Sequence, residues 1–286
     1  MNKKQILPFL LATLAGAQQS ADQDADRDFV TRQLWDATLQ QKRPAAPGKP
    51  TAVQQKKMTG QVKGALVGVT FWNMRRSKPE DTREIRAMIH EESGDVELTP
   101  ERVSSDSPLK EGQRVRISVE SVEAGYLYII DRDLYADGTK SPAYLIFPTM
   151  RIRGGDGHVK PGMVVEIPAQ EDSPSHFTIR RSRPDQINET LTILVSPKPI
   201  PGLQLGRQRL QLTDAQVASW EKQWQAKTLK LEAKGQAGKA YTVEEKQAGG
   251  GGKLLTGSDP VPQTMYQVEN RPGEPVLLQV PLRIVK

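Results

Sequence analysis

Apolar and polar residues alternate most regularly over residues 115–148, and the rest of the chain is read outward from there. Val115, Ile117 and Val119 alternate with Arg116, Ser118 and Glu120, the period of two of a half-buried strand. Glu123, Ala124 and Gly125 break the rhythm, and Tyr126-Leu127-Tyr128-Ile129-Ile130 resumes it with β-forming residues. Asp137-Gly138 supplies a turn, because glycine tolerates the positive φ that hairpin loops require. Tyr144-Leu145-Ile146-Phe147 returns as the second arm of a β-hairpin, and Pro148 ends it by withholding an amide donor.

Similar segments lie on both sides. Residues 65–74 form a strand with Leu66, Thr70, Trp72 and Met74 on one face, and Ile85, Ala87 and Ile89 mark a second. Val96, Leu98 and Val103 give a third; turns fall at 79–81 and 106–112. Later strands are expected at Val164, Val165 and Ile167, at Phe177 and Ile179, and over 191–195, closed by Pro197, Pro199 and Pro201. The arginine-flanked glycine loop at 151–157 lacks the Lys-Ser/Thr of a phosphate-binding loop and reads as a hairpin connection. Strands at this spacing, without alternating helices, predict an antiparallel β-sandwich over residues 64–201.

Residues 202–286 change character. Thr213-Asp214-Ala215-Gln216 has the form of a capping box, and Val217, Trp220, Trp224 and Leu231 then make an amphipathic stripe of about five turns ending at Gly235. Both tryptophans are expected to pack on the sandwich. A glycine-rich loop at 249–252 follows. Val276, Leu278, Val280, Leu282 and Ile284 alternate as a final strand that joins the sandwich, with Pro281 at an edge or bulge.

The N-terminal residues read as an address. Lys3 and Lys4 precede a short apolar stretch at 6–14 and an Ala15-Gly16-Ala17 cleavage sequence, so residues 1–17 are expected to be a signal peptide. The apolar stretch is about half the roughly 20 residues a membrane span requires, and no later stretch qualifies. Cysteine is absent from the 286 residues, which excludes disulfides and cysteine-linked lipid and fits a periplasmic or extracellular bacterial protein. Residues 18–63 then give a helical segment and a linker. Asp22, Asp24, Asp26 and Asp28 lack the glycine and closing glutamate of a calcium loop and favour a helix start. Phe29, Val30, Leu34, Ala37 and Gln41 share one side of that helix, widened by Trp35. From Lys42 to Lys63 the chain is basic, broken by Pro44, Pro47, Gly48, Pro50 and Gly60, and reads as a solvated spacer. Two of the 40 basic residues and none of the 34 acidic ones leave with the signal peptide, which lowers the net charge from +6 to about +4. That charge, with no aromatics among the basic residues of the spacer, does not describe a nucleic-acid binder.

Reaction chemistry is not visible in the motifs. His90, His158 and His176 form no zinc pair, no serine sits in a nucleophile elbow, and there is no nucleotide-binding fingerprint. No catalytic, cofactor-binding or metal residues are therefore assigned. The nearest constellation to a metal site is Asp131, Asp133 and Asp137, whose register does not fit an EF-hand and which reads as a polar hairpin tip. Tyr126, Tyr128 and Tyr135 share that hairpin; exposed, they would form a recognition surface with the three aspartates, and buried, part of a core.

The run Glu-Gly-Gln-Arg-Val-Arg-Ile-Ser-Val-Glu-Ser ending at Ser121, the stretch from Gly125 to Ile129, Asp137-Gly138 and the Leu-Ile-Phe-Pro ending at Pro148 resemble the bacterial domain of unknown function 4384 family. Gly162, the Val-Glu-Ile-Pro ending at Pro168 and the strand at Phe177 continue the likeness, which spans residues 65–199. The resemblance implies an immunoglobulin-like sandwich, a domain often appended to peptidase or kinase modules, and brings no catalytic residue with it. The fold expectation is thus all-β: an immunoglobulin-like antiparallel sandwich with an N-terminal helical segment and one amphipathic C-terminal helix. The functional expectation is an exported, non-catalytic module that binds a protein in the bacterial cell envelope. A glycan or peptidoglycan ligand is the alternative, and a hydrolase built without a known motif is the third reading, to be raised by a buried carboxylate pair in a cleft.

Overall fold

The computed structural model describes residues 34, 38–46, 64–91 and 94–285. The expected signal peptide, the aspartate run at 22–28 and most of the expected N-terminal helix and linker lie outside these residues. In chain order the first strands are β1 (Ala65–Arg76), β2 (Ala87–Glu91), β3 (Gly94–Val103), β4 (Leu109–Lys110) and β5 (Arg114–Ser121). Then come β6 (Gly125–Tyr135), β7 (Ala143–Phe147), β8 (His158–Val159), β9 (Val164–Ile167) and β10 (Phe177–Thr178). The last are β11 (Gln186–Ser196), β12 (Leu210–Leu212), β13 (Thr228–Glu232), β14 (Thr264–Val268) and β15 (Val276–Val285).

Among the described residues these strands form two sheets. The first runs β10–β5–β1–β14–β13, with β3 also on β1, β2 on β3 and β9 on β5. The second runs β12–β7–β6–β11–β15–β4, with β8 also on β6. The sheets face each other across one core, so the molecule is a β-sandwich. Val67, Val69, Phe71, Ile117 and Val119 from the first sheet meet Leu127, Ile129, Leu191, Ile193 and Leu278 from the second.

The expected hairpin is present: β6 pairs with β7 through Ile130↔Leu145 and Asp131↔Tyr144, antiparallel. The break before it does more than turn the chain. At residues 122–124 the backbone leaves β5 in the first sheet and enters β6 in the second. The Ser121 hydroxyl holds this corner, donating to the Glu123 carbonyl and accepting from the Glu123 amide. Gly125 is required beyond it, because a Cβ there would lie 2.5 Å from the Ser196 carbonyl oxygen.

Both sheets are also covered on their outer faces. The Asp214–Trp224 helix starts at the expected capping box, with the Gln216 amide donating to Thr213 Oγ1 at 3.2 Å. Its Val217 packs with Tyr128, Ile130, Leu145 and Leu194 on the second sheet, and the stacked Trp220 and Trp224 cover that cluster. The helix does not continue to Leu231. Gln225 is extended, and Thr-Leu-Lys-Leu-Glu satisfies a period of two as well as a helical stripe, so it forms β13. Leu231 therefore packs with Leu34, Leu39, Leu66 and Met265 on the other side of the sandwich. A second C-terminal helix, Val243–Gly249, carries its own capping box from Thr242 to Glu245, where one helix was expected. Two smaller differences concern Ile85, which ends a short 3-10 turn before β2, and Ile179, which lies beyond β10.

Around Trp72 the outer face of the first sheet carries buried ion pairs. Arg43, expected in a solvated spacer, is buried, and its Nε and Nη2 bind the Glu120 carboxylate at 2.6 and 2.5 Å. Its Nη1 donates to the carbonyls of Thr256, Asp259 and Pro260. Arg102 pairs with Glu245, and Arg116 with Glu166, whose carboxylate also accepts from the Tyr241 hydroxyl. Leaving a buried carboxylate without its cation costs about 3 kcal/mol or more, whereas an apolar replacement of both partners is often neutral. Arg43→Met is thus expected to lower stability in urea melts by about 3 kcal/mol, and adding Glu120→Met to recover most of it. A loss below about 1 kcal/mol for the single change would contradict this account of the pair.

Candidate functional site

The candidate site lies where the inner faces of β6 and β11 run out of apolar residues. Leu127 and Ile129 point into the core, so the same strand face continues through Asp131 to Asp133. On β11, Leu191, Ile193 and Val195 point inward, and the face continues to Glu189. The register sets Leu191 opposite Asp131 and Glu189 opposite Asp133. Carboxylate oxygens of Asp131, Asp133 and Glu189 accordingly all lie within 4.8 Å of one another.

Their surroundings differ. Asp133 is held by the Gln186 side-chain amide at 2.8 Å and the Ser182 hydroxyl at 2.5 Å. Asp131 Oδ1 is buried and receives no hydrogen bond. Burial pushes the Asp131 carboxyl up to about 6, with the Asp133 charge adding to it, while Glu189 and Arg209 oppose the rise. Burial raises Glu189 well above the usual carboxylate range, and the neighbouring Asp131 and Asp133 charges raise it further. The two carboxyls titrate as a pair, and their burial favours the protonated form.

This pair opens on a cleft of about 330 Å³ between the two sheets. Its walls are apolar, with Phe71, Ile117 and Leu282 among them. Its rim is basic: Arg180, Arg207 and Arg209 are exposed there, and Arg209 lies over the Tyr144 ring at 3.8 Å. Arg151 also lines the cleft and is paired with Asp172 at 2.9 Å. The loop that carries Arg151 joins β7 to β8, two segments that both pair with β6, so it is not a hairpin connection.

The contrast with the rest of the protein is informative. Glu120, Glu166 and Glu245 are buried against Arg43, Arg116 and Arg102. Glu166 is still pushed up to about 7 by its burial, against the pull of Arg116. Asp131 and Glu189 are held in the same way by no guanidinium among the described residues. Chemically, such a pair can neutralise an incoming cation or exchange a proton. As hard oxygen ligands the trio supplies three of the six to eight donors a calcium ion takes.

The six residues singled out from the sequence separate into groups. Asp131 and Asp133 belong to the cluster. Asp137 does not: it lies in the exposed turn, accepts from the Thr139 amide and hydroxyl, and is bound by Arg183. Those Thr139 hydrogen bonds, with Arg183 beside them, hold its carboxyl below the usual range. Tyr128 is buried on the outer face, its hydroxyl accepting the Ile200 amide at 2.8 Å. Tyr135 is buried with its hydroxyl on Ser182 and the Arg183 guanidinium over its ring. Tyr126 is half-buried, edge-on to His158. Glu189 is the member that sequence reasoning missed, although the Glu-x-Leu-x-Ile-x-Val alternation ending at Val195 places it on the inward face. Compared with protein-family models, curated proteins and solved structures, the chain matches none.

An acid whose pKa is raised on folding favours the folded state while protonated, and that advantage is lost as pH rises through the folded value. For Asp131 the window runs from 3.8 to about 6. Asp131→Asn is expected to be more stable than the parent by about 1 kcal/mol above this window, with the gain vanishing below it. Thermal melts across the pH range check this, and a destabilised variant above pH 7 would contradict it.

Proposed function

We propose that the chain is an exported, non-catalytic, immunoglobulin-like sandwich that binds a protein partner in the bacterial cell envelope, and that the cleft beside Asp131 and Glu189 is where it binds. The observation that carries the reading is the half-buried carboxylate pair of Asp131 and Glu189, which is paired with no guanidinium among the described residues. A perturbed ionisable group in a cleft, without an ion-pair partner to account for its burial, is a candidate functional group. The signal peptide read in residues 1–17 and the absence of cysteine support export and a periplasmic or extracellular setting. The resemblance of residues 65–199 to the domain of unknown function 4384 family supports the immunoglobulin-like assignment and an accessory role.

Glycan binding is weaker as a reading, because the Tyr128 and Tyr135 rings it would stack on are buried. A hydrolase is the second reading, since two adjacent carboxyls with raised pKa values in a cleft have the make-up of an acid–base couple. Cross-linking capture by the tagged protein in its native envelope separates these. The binding module yields one dominant protein, lost on Asp131→Asn with Glu189→Gln. Capture of glycan alone, or turnover in a hydrolase screen abolished by the same changes, would overturn it.

A further inference from the structure

The cleft is amphiphilic: half-buried carboxylates inside, walls that include Phe71, Ile117 and Leu282, and exposed arginines outside. Asp131 Oδ1 is an acceptor without a donor, and Glu189 is in contact with another acid. Asp133 and Asp172 are already engaged, by Gln186 with Ser182 and by Arg151. At the rim, Arg180, Arg207 and Arg209 make no ion pair among the described residues.

We infer that the cleft takes a lysine or arginine side chain from an extended segment of the protein partner, with acidic residues of that segment meeting the arginine rim. The inference rests on the binding-module reading and names the chemistry of its ligand. A long basic side chain lays its aliphatic stem on apolar walls and delivers its charge at the tip. Here the stem lies against Phe71, Ile117 and Leu282 and the cationic tip reaches Asp131 and Glu189. Placing a donor between two carboxylates whose oxygens lie within 4.8 Å of each other replaces a repulsive contact by charge-assisted hydrogen bonds. A divalent cation fits less well, because beyond the acidic trio the cleft's side-chain oxygens are those of Thr149, Thr178, Gln208 and the Arg151-bound Asp172, where calcium takes six to eight oxygen ligands. Complementary charges outside the pocket set register and exclude fully basic segments.

The experiment uses the full chain and two capped pentapeptides, Glu-Ala-Lys-Ala-Glu and the same sequence with norleucine for lysine, titrated up to millimolar concentration. The lysine peptide is expected to bind at least tenfold more tightly. Asp131→Asn with Glu189→Gln should abolish that preference while leaving the melting temperature at or above that of the parent, which shows that the variant folds. Arg207→Glu with Arg209→Glu should weaken the acidic-flanked peptide several-fold and favour one flanked by lysines. Equal affinity for the two peptides, no binding by the lysine peptide or its arginine analogue, or calcium raising the melting temperature of the parent but not of the variant would each overturn the inference. A dominant envelope protein captured equally by parent and variant would sink this inference and the placing of the partner at the cleft, but not the binding module itself; capture of no protein would sink the binding-module reading as a whole.

Discussion

Three guanidinium–carboxylate pairs buried on one face of the first sheet tie the two ends of the chain to its middle. Trp72 is the centre of that face, with Arg102 opposite it on one side and Arg116 on the other. Its indole N–H donates to Ser118 at 2.9 Å, and the Tyr241 ring meets it edge-on at 4.6 Å. Arg43 arrives from the N-terminal side to meet Glu120, and Glu245 from the C-terminal side to meet Arg102. Burying ions is costly unless each is paired and its remaining hydrogen bonds are made. Each arginine here also donates to backbone carbonyls, Arg102 to Val261 and Arg116 to Ser175. The cover over the sheet is fixed in position by that requirement.

The same constraint explains the close packing around the cover. Gly68 sits where a Cβ would lie 2.2 Å from the Pro262 ring, so the segment after the second C-terminal helix rests directly on the β1 backbone. On the opposite side of the sandwich the cover is an ordinary amphipathic helix held by Val217, Trp220 and Trp224. One sandwich thus carries two kinds of cover, one apolar and one that sets buried ion pairs beside the apolar cluster of Leu34, Leu39, Leu66, Leu231 and Met265.

Period-two alternation made the main strands legible, because an alternating face is a local property. β1, β5, β6, β7, β11 and β15 all appear where it put them. It also held the information on the inward carboxylates, since Asp131 and Asp133 follow Leu127 and Ile129 at steps of two. What it could not convey is which polar positions are wet. Arg102, Arg116, Glu120 and Glu166 look like solvent-facing strand residues, and they are dry because partners 50 to 143 positions away cover them. The move between sheets at 122–124 and the short helix before β13 were hidden for a related reason. Alternation says which face a residue takes, not which sheet it belongs to.

Asp131 and Glu189 are the exception on which the proposed function depends: two half-buried acids beside each other and, among the described residues, paired with no guanidinium. Natural proteins tolerate such local conflict mainly where a ligand resolves it. The most direct measurement is the melting temperature of Glu189→Gln beside that of Glu245→Gln near neutral pH. Neutralising a site acid should raise the melting temperature, and neutralising the partner of Arg102 should lower it by several degrees. A fall for Glu189→Gln as well would mean that the acids at the cleft are structural after all.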